Sequence, residues 1–185
     1  MAATLSTMLP LGTKAPQFNL LDTKTNQLRS LKELQSNIAT VVMFICNHCP
    51  YVIHIQKKLV EIANHYQAKG IGFIAINSND VVAYPSDNPD AMRMTAENNH
   101  YSFPYLFDET QEVAKAYHAA CTPDFYVFDK NHECVYRGRF DDSTPGNQNP
   151  VTGQDLAAAL DAILNGHEVS REQQPSIGCN IKWKK

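Results

Sequence analysis

Cysteine is too sparse here for a disulfide-stapled scaffold: five in 185 residues, an odd number that leaves at least one unpaired. Long apolar runs are missing too, and none approaches the ~18 residues a membrane-crossing helix needs. There is no surplus of positive charge. Sixteen Lys and Arg against nineteen Asp and Glu give a net charge of −3, which speaks against an extended basic surface for nucleic acid or anionic lipid. From Met1 to Pro16 there is no basic segment ahead of Lys14 and no continuous apolar stretch, so the start does not read as a secretory leader and a cytoplasmic location is expected. Internal repeats, low-complexity tracts and long linkers are lacking, as are a Gly-x-Gly-x-x-Gly loop and a Gly-x-Ser-x-Gly elbow. What remains is ordinary. A composition 43% hydrophobic and 19% charged, at this length, predicts one globular domain over residues 1–185 with its core at about 10–165 and an irregular tail at 170–185.

Four short apolar runs read as strands. Val41 to Ile45 and Ile71 to Ile76 are almost wholly apolar and suit central strands covered on both faces. Phe125 to Phe128 and Cys134 to Phe140, separated by the polar stretch Asp129 to Glu133, read as an antiparallel hairpin. Between these runs lie helical signals. Val52, Ile55, Leu59, Ile62, Ala63 and Tyr66 form a 3.6-residue stripe; Asn88 and Pro89 start a second helix; Asp108 precedes a third; Thr152 begins a last one through Leu156, Leu160, Ile163 and Leu164. A small hairpin from Phe18 to Leu28 precedes them all. Strand, helix, strand over 41–76 is a βαβ unit with parallel pairing, and the later hairpin makes the sheet mixed. The tail, with Ile177, Cys179, Ile181 and Trp183, is expected on the surface with its tryptophan docked.

The chemistry concentrates at Cys46-Asn47-His48-Cys49, where the first apolar strand stops and the first long helix begins. A sulfur there faces first-turn N–H groups and the positive end of the helix dipole, both of which stabilise the nucleophilic thiolate. The reading therefore expects Cys46 to ionise below the free value of about 8.5. Cys49, one turn on, is placed to close a disulfide with it. His48, as donor or cation, further favours the thiolate and makes the disulfide more oxidising. Pro50 is tolerated because first-turn amides lack intrahelical partners. Two buried apolar thiols or a metal site are the alternatives; zinc wants four ligands and no second Cys or His pair has ligand spacing, so neither a metal nor a cofactor is expected.

Three segments carry a resemblance: Leu11 to Phe18 with Leu20; Phe44 to Tyr51; and Cys121-Thr122-Pro123-Asp124-Phe125 with Phe128-Asp129. With Tyr136 to Arg139 they make the chain similar to the thioredoxin superfamily, and more narrowly to its peroxiredoxin-like (AhpC/TSA- and TlpA-like) thioredoxin-domain proteins. The resemblance implies an α/β thioredoxin-like fold, with a mixed central sheet, helices on both faces and an N-terminal hairpin extension. It also implies an exposed attacking thiol at Cys46, its resolving partner at Cys49, and a cis Pro123 after Thr122, facing the pair. Where peroxiredoxins carry Pro-x-x-x-Thr-x-x-Cys, this chain has Ala39 and Met43, and Ile45 stands where thioredoxins usually have Trp. The strand Val41 to Ile45 holds no acid to assist Cys49.

The resulting expectation is a thiol–disulfide oxidoreductase. A thiol peroxidase, with Cys46 peroxidatic and Cys49 or Cys121 resolving, is the alternative, and a non-catalytic thioredoxin-like binding module the rival from another class. Cys121, two residues before Pro123, is either an extra resolving thiol or packing; Arg137 either supports a peroxide or thiolate or joins Arg139, Asp141 and Asp142 in a solvated ion-pair cluster. Cys134 reads as an apolar filler, and Cys179, in the irregular tail, as either a bystander or a mobile resolving thiol. Expected partners are a disulfide-containing protein, a small thiol or disulfide, or a peroxide, together with a thiol reductant system, but neither nucleic acid nor membrane.

Overall fold

A computed structural model describes residues 3–185. Its strands are β1 (Ala3–Leu5), β2 (Asn19–Asp22), β3 (Gln27–Ser30), β4 (Ala39–Phe44), β5 (Gly72–Asn77), β6 (Tyr105–Phe107), β7 (Cys121–Thr122), β8 (Asp124–Asp129), β9 (Cys134–Gly138) and β10 (Ile177–Asn180). The helices are α1 (Leu31–Leu34), α2 (Pro50–Gln67), α3 (Pro89–Asn98), α4 (Glu112–Ala116) and α5 (Gln154–Leu164), with a 3-10 turn at Pro85–Asp87. Seven strands form one mixed sheet in the order β3-β2-β6-β5-β4-β8-β9; β1, β10 and β7 form a second, smaller sheet. Strands β4, β5 and β6 run parallel, and β8 returns antiparallel beside β4. Among the described residues no helix is long and apolar enough to cross a membrane.

Every residue of β4 is buried because its alternating side chains serve two cores. Ala39, Val41 and Met43 point into one with α2, α3 and α5; Val42 and Phe44 point into the other with α1 and α4. Helices therefore cover both faces, as expected. The stripe on α2 is buried along its length, from Val52 to Tyr66, and Asn88 caps α3 by accepting from the Ala91 amide.

Three local readings are corrected. First, the tail is not irregular surface. β10 pairs antiparallel with β1 and β7, Ile181 is buried, and Trp183 is 40% exposed rather than docked, with Lys115 Nζ 6.0 Å from its ring centroid. Second, the central sheet holds a strand beyond the four apolar runs and the first hairpin: β6, an inner strand between β2 and β5. Third, Asp141 and Asp142 do not pair with Arg137 and Arg139. Asp141 accepts from the Thr152 and Gly153 amides at 2.7 and 2.6 Å, fixing the entry to α5, while Arg139 pairs with Asp155. Burial works against ionising Asp141, but the amides of Gly153, Ser143 and Thr152 hold its carboxyl below the usual range.

Candidate active site

β4 and β5 are parallel, so the loops leaving their C-terminal ends open at the same edge of the sheet. The first loop carries Cys46 to Cys49, and the second leads to the turn ending at Asp87. Cys49 is the N-cap of α2 with Pro50 at the first helical position, and no side chain caps the turn. The helix start therefore acts on Cys49 rather than, as expected, on Cys46; the Val52 amide is one of the groups that favour a thiolate there. Both thiols are free, and both residues are buried, Cys46 to 2% exposure and Cys49 completely.

Thr122 holds the two sulfurs from the opposite side. Its hydroxyl oxygen is 3.4 Å from Cys46 Sγ, and its carbonyl accepts from the Cys49 thiol at 3.1 Å. The bond from Thr122 to Pro123 is cis. Loop 46–49 is fixed by Asn47, whose amide donates to Asp87 Oδ1 (2.8 Å), whose Nδ2 donates to the Ser86 carbonyl (2.8 Å), and whose Oδ1 accepts from the Tyr105 hydroxyl (3.0 Å). Asp87 is wholly buried. Its Oδ2 accepts from Asn79 Nδ2 at 2.8 Å and lies 2.7 Å from His48 Nδ1, an ion-pair distance off the line of a hydrogen bond. The His48 ring stacks on Tyr84, with centroids 5.6 Å apart and planes 5° from parallel. Cys46, His48 and Asp87 thus bring a sulfur, an imidazole nitrogen and a carboxylate oxygen within 4.8 Å of one another, three donors of the kinds zinc accepts.

The two thiols ionise unequally, with Cys49 held down to about 5 and Cys46 pushed far above the usual thiol range. Hydrogen bonding between them makes the first ionisation of the pair easy, because the remaining S–H donates to the thiolate, and makes the second hard. Burial and the Asp87 carboxylate add to the push upward at Cys46, while the Thr122 hydroxyl opposes it. The exposed, independently acidic Cys46 expected from the sequence is corrected accordingly: the sulfur is buried beside an acid, and easy ionisation belongs to the pair.

Comparison with known proteins identifies the lineage. The AhpC/TSA family profile matches residues 11–137. The chain belongs to the AhpC/TSA family. No match was found among curated proteins. Among solved structures, this AhpC/TSA chain is similar to an uncharacterized conserved protein from Geobacillus kaustophilus, at 57% identity and TM-score 0.98 over 100% of this chain and 97% of the other. It is also similar to a hypothetical protein from Sinorhizobium meliloti, at 46% identity and TM-score 0.95 over 98% of each chain. A putative thioredoxin from Neisseria meningitidis, 21% identical over 85% of this chain and 95% of its own with TM-score 0.63, shares the thioredoxin-like fold.

Within this AhpC/TSA chain, Cys46, Cys49, His48, Thr122 and Pro123 come together at one sheet edge. Arg137 does not join them. It sits opposite Tyr126, whose side chain lies in the second core, and its guanidinium donates to the Leu9 carbonyl (2.8 Å) and Gln173 Oε1 (2.7 Å). Cys121 is wholly buried next to the site, where burial and then Asp124 push its thiol up; it is an inert neighbour in this arrangement. Asp87, Asn79, Tyr84 and Tyr105 were not singled out from the sequence, since only the parallel β4–β5 pairing brings their segments to the cysteines. A cavity of about 700 Å³ lined by Leu11, Ile38, Val135, Ile163 and Val169 includes none of Cys46, Cys49 or Cys179.

Proposed function

We propose that this protein is a thiol–disulfide oxidoreductase that uses Cys46 and Cys49 as its redox couple. The observation that carries this reading is Thr122: one residue offers a hydroxyl to Cys46 Sγ and a carbonyl to the Cys49 thiol. Because the Thr122 hydroxyl can donate to a thiolate on Cys46 while its carbonyl accepts from the Cys49 thiol, the attacking form carries the charge on Cys46. It is reached from a resting pair in which the hydrogen bond between the thiols, the helix start and Asp87 favour the charge on Cys49. The Cys46 thiolate attacks one sulfur of a substrate disulfide, forming a mixed disulfide and expelling the other sulfur as a thiolate. Cys49 then gives up its proton and attacks Cys46 Sγ. The Cys46–Cys49 bond forms, and the substrate's second sulfur leaves as a thiolate that takes a proton. The substrate gains two electrons and the pair loses them; a thiol reductant system restores the dithiol.

His48 and Asp87 tune the pair. The Asp87 charge raises Cys46, and an imidazolium at His48 would offset that charge at 2.7 Å. Burial of both sulfurs implies that a substrate disulfide reaches Cys46 across the Thr122–Pro123 edge with a small outward shift of loop 46–49. A disulfide-bearing protein or a small disulfide in a reducing, cytoplasmic setting fits this role. The peroxidase alternative is less well supported, because Arg137 lies on the other face of the sheet.

The test is insulin reduction with dithiothreitol. Turnover that falls to background in Cys46→Ser, with a mixed disulfide trapped on Cys46 in Cys49→Ser, supports the reading. Unchanged turnover in Cys46→Ser overturns it, and peroxide consumption that depends on Cys46 without insulin reduction replaces it with the peroxidase.

A further inference from the structure

The C-terminal strand brings a third sulfur to the pair. Cys179 on β10 sits directly opposite Thr122 on β7, and directly opposed residues of an antiparallel pair project to the same side. Since Thr122 Oγ1 is 3.4 Å from Cys46 Sγ, Cys179 points to the thiol side of this small sheet, whereas Cys121, opposite Asn180, points away. Cys179 is 4% exposed and packs in the same core as Cys46, Cys49 and Val52. Cys49 and Cys179 also act on each other's ionisation, Cys179 helping to hold Cys49 down and Cys49 helping to push Cys179 up.

A glycine makes this approach possible. A Cβ on Gly178 would stand 2.0 Å from the Thr122 carbonyl oxygen and 3.2 Å from Pro123 Cδ, so no larger residue lets β10 lie this close to the active-site edge.

We propose that Cys179 is a third redox-active thiol, which takes over Cys49 from the Cys46–Cys49 disulfide and returns Cys46 to its free form. The step rests on the redox function proposed above. Cys179 loses its proton and attacks Cys49 Sγ; the Cys49–Cys179 bond forms as the Cys46–Cys49 bond breaks, and Cys46 leaves as a thiolate that takes up a proton. One disulfide replaces another, so no further oxidant or reductant is needed. The exchange carries the oxidised state from the substrate-facing edge to the C-terminal strand, clamps that strand to the start of α2 and leaves Cys46 able to react again.

The surroundings hold the third thiol protonated while the pair is reduced. Burial, followed by hydrogen bonding with Cys49, pushes Cys179 up to about 12 while the pair is reduced, and Lys182 acts the other way. Oxidation of the pair removes the Cys49 contribution, so Cys179 ionises more readily once a disulfide lies beside it.

The test maps disulfides in the full-length chain after diamide oxidation, acid quench and alkylation of free thiols with N-ethylmaleimide. Wild type is expected to yield both Cys46–Cys49 and Cys49–Cys179 linked peptides. Cys46→Ala should yield Cys49–Cys179 with Cys121 and Cys134 alkylated. Gly178→Ala, which moves the strand and keeps every cysteine, should yield about tenfold less of the Cys49–Cys179 peptide than wild type while retaining Cys46–Cys49. Alkylation of both Cys49 and Cys179 in oxidised, folded Cys46→Ala, or a Cys49–Cys121 link in its place, overturns the proposal. If Cys46→Ala does not fold, the absence of Cys49–Cys179 from wild type overturns it equally. Failure of the underlying redox function reads differently, as the absence of Cys46–Cys49 from wild type and from Cys179→Ala alike.

Discussion

The two faces of the central sheet are built from the same strands and do different work. On one face Met43, Phe125 and the helices α2 and α5 surround a row of thiols beside a carboxylate, an imidazole and a hydroxyl. On the other, Phe44, Tyr117, Tyr126 and Phe128 meet edge to face at centroid distances of 5.6–5.9 Å. Buried polar groups cost stability unless each is paired, whereas the aromatic face contributes packing energy. The period-two alternation of β4 and β8 separates these duties, so the effects of mutations should separate in the same way.

The largest effect is expected on activity. Cys46→Ser should lower insulin reduction to background, about 10²-fold or more, while leaving the thermal midpoint within a few degrees. A loss of activity that merely tracked unfolding would erase the contrast between faces. Next comes stability: Phe128→Ala, on the aromatic face, should cost about 3–5 kcal/mol in denaturant unfolding, yet leave the potential of the Cys46–Cys49 couple unchanged at temperatures where the protein stays folded. A shifted potential would show that the faces communicate.

A smaller effect follows from Asp124, which is buried on the strand joining both faces. Burial pushes its carboxyl up to about 7, against the hydrogen bonds from Tyr126, Ser176 and the Phe125 amide. Between its unfolded value of 3.8 and about 7 the folded chain holds the proton that the unfolded chain has lost. Stability should therefore fall as pH rises from about 4 to about 7 and be flat in this component above that. Asp124→Asn should remove the slope from urea midpoints measured across that range; an unchanged slope would place its origin elsewhere. The smallest effect expected is that of Asp87→Asn. Because the Asp87 charge raises Cys46, iodoacetamide alkylation of Cys46 in the variant should rise at lower pH than in wild type. A shift to higher pH would mean that the acid acts mainly by fixing loop 46–49.

Much of this was legible in the sequence wherever one segment carried its own signal. Val41 to Ile45, the α2 stripe and the hairpin on either side of Asp129 to Glu133 each declare themselves through local period and polarity. The Cys46–Cys49 spacing at a strand-to-helix step marks the candidate site in the same way, and the family resemblance adds Thr122 and Pro123. What the sequence hid was what needed the third dimension. β6 is three residues long, too short for alternation to register. β10 is a strand only because Gly178 lets it press on the Thr122 carbonyl. Asp87 lies in a proline-flanked turn whose sequence says only that a helix is about to start, and its link to Asn47 exists because β4 and β5 are parallel. Arg137 and Asp141 misled for the complementary reason. Charged residues close together in sequence suggested mutual pairing, while the fold gave Arg137 to Leu9 and Gln173 and gave Asp141 to the entry of α5.

The central claim is that Cys46 and Cys49 are one redox couple, and a redox titration tests it most directly. The Cys179→Ala chain, in which the strand thiol cannot compete, is equilibrated in buffers of graded dithiothreitol and glutathione potential, and its Cys46–Cys49 linked peptide is quantified by mass. The account predicts a single two-electron transition with a midpoint between about −270 and −120 mV. Cys46 and Cys49 remaining fully alkylatable at every potential, in a chain that stays folded, would contradict it.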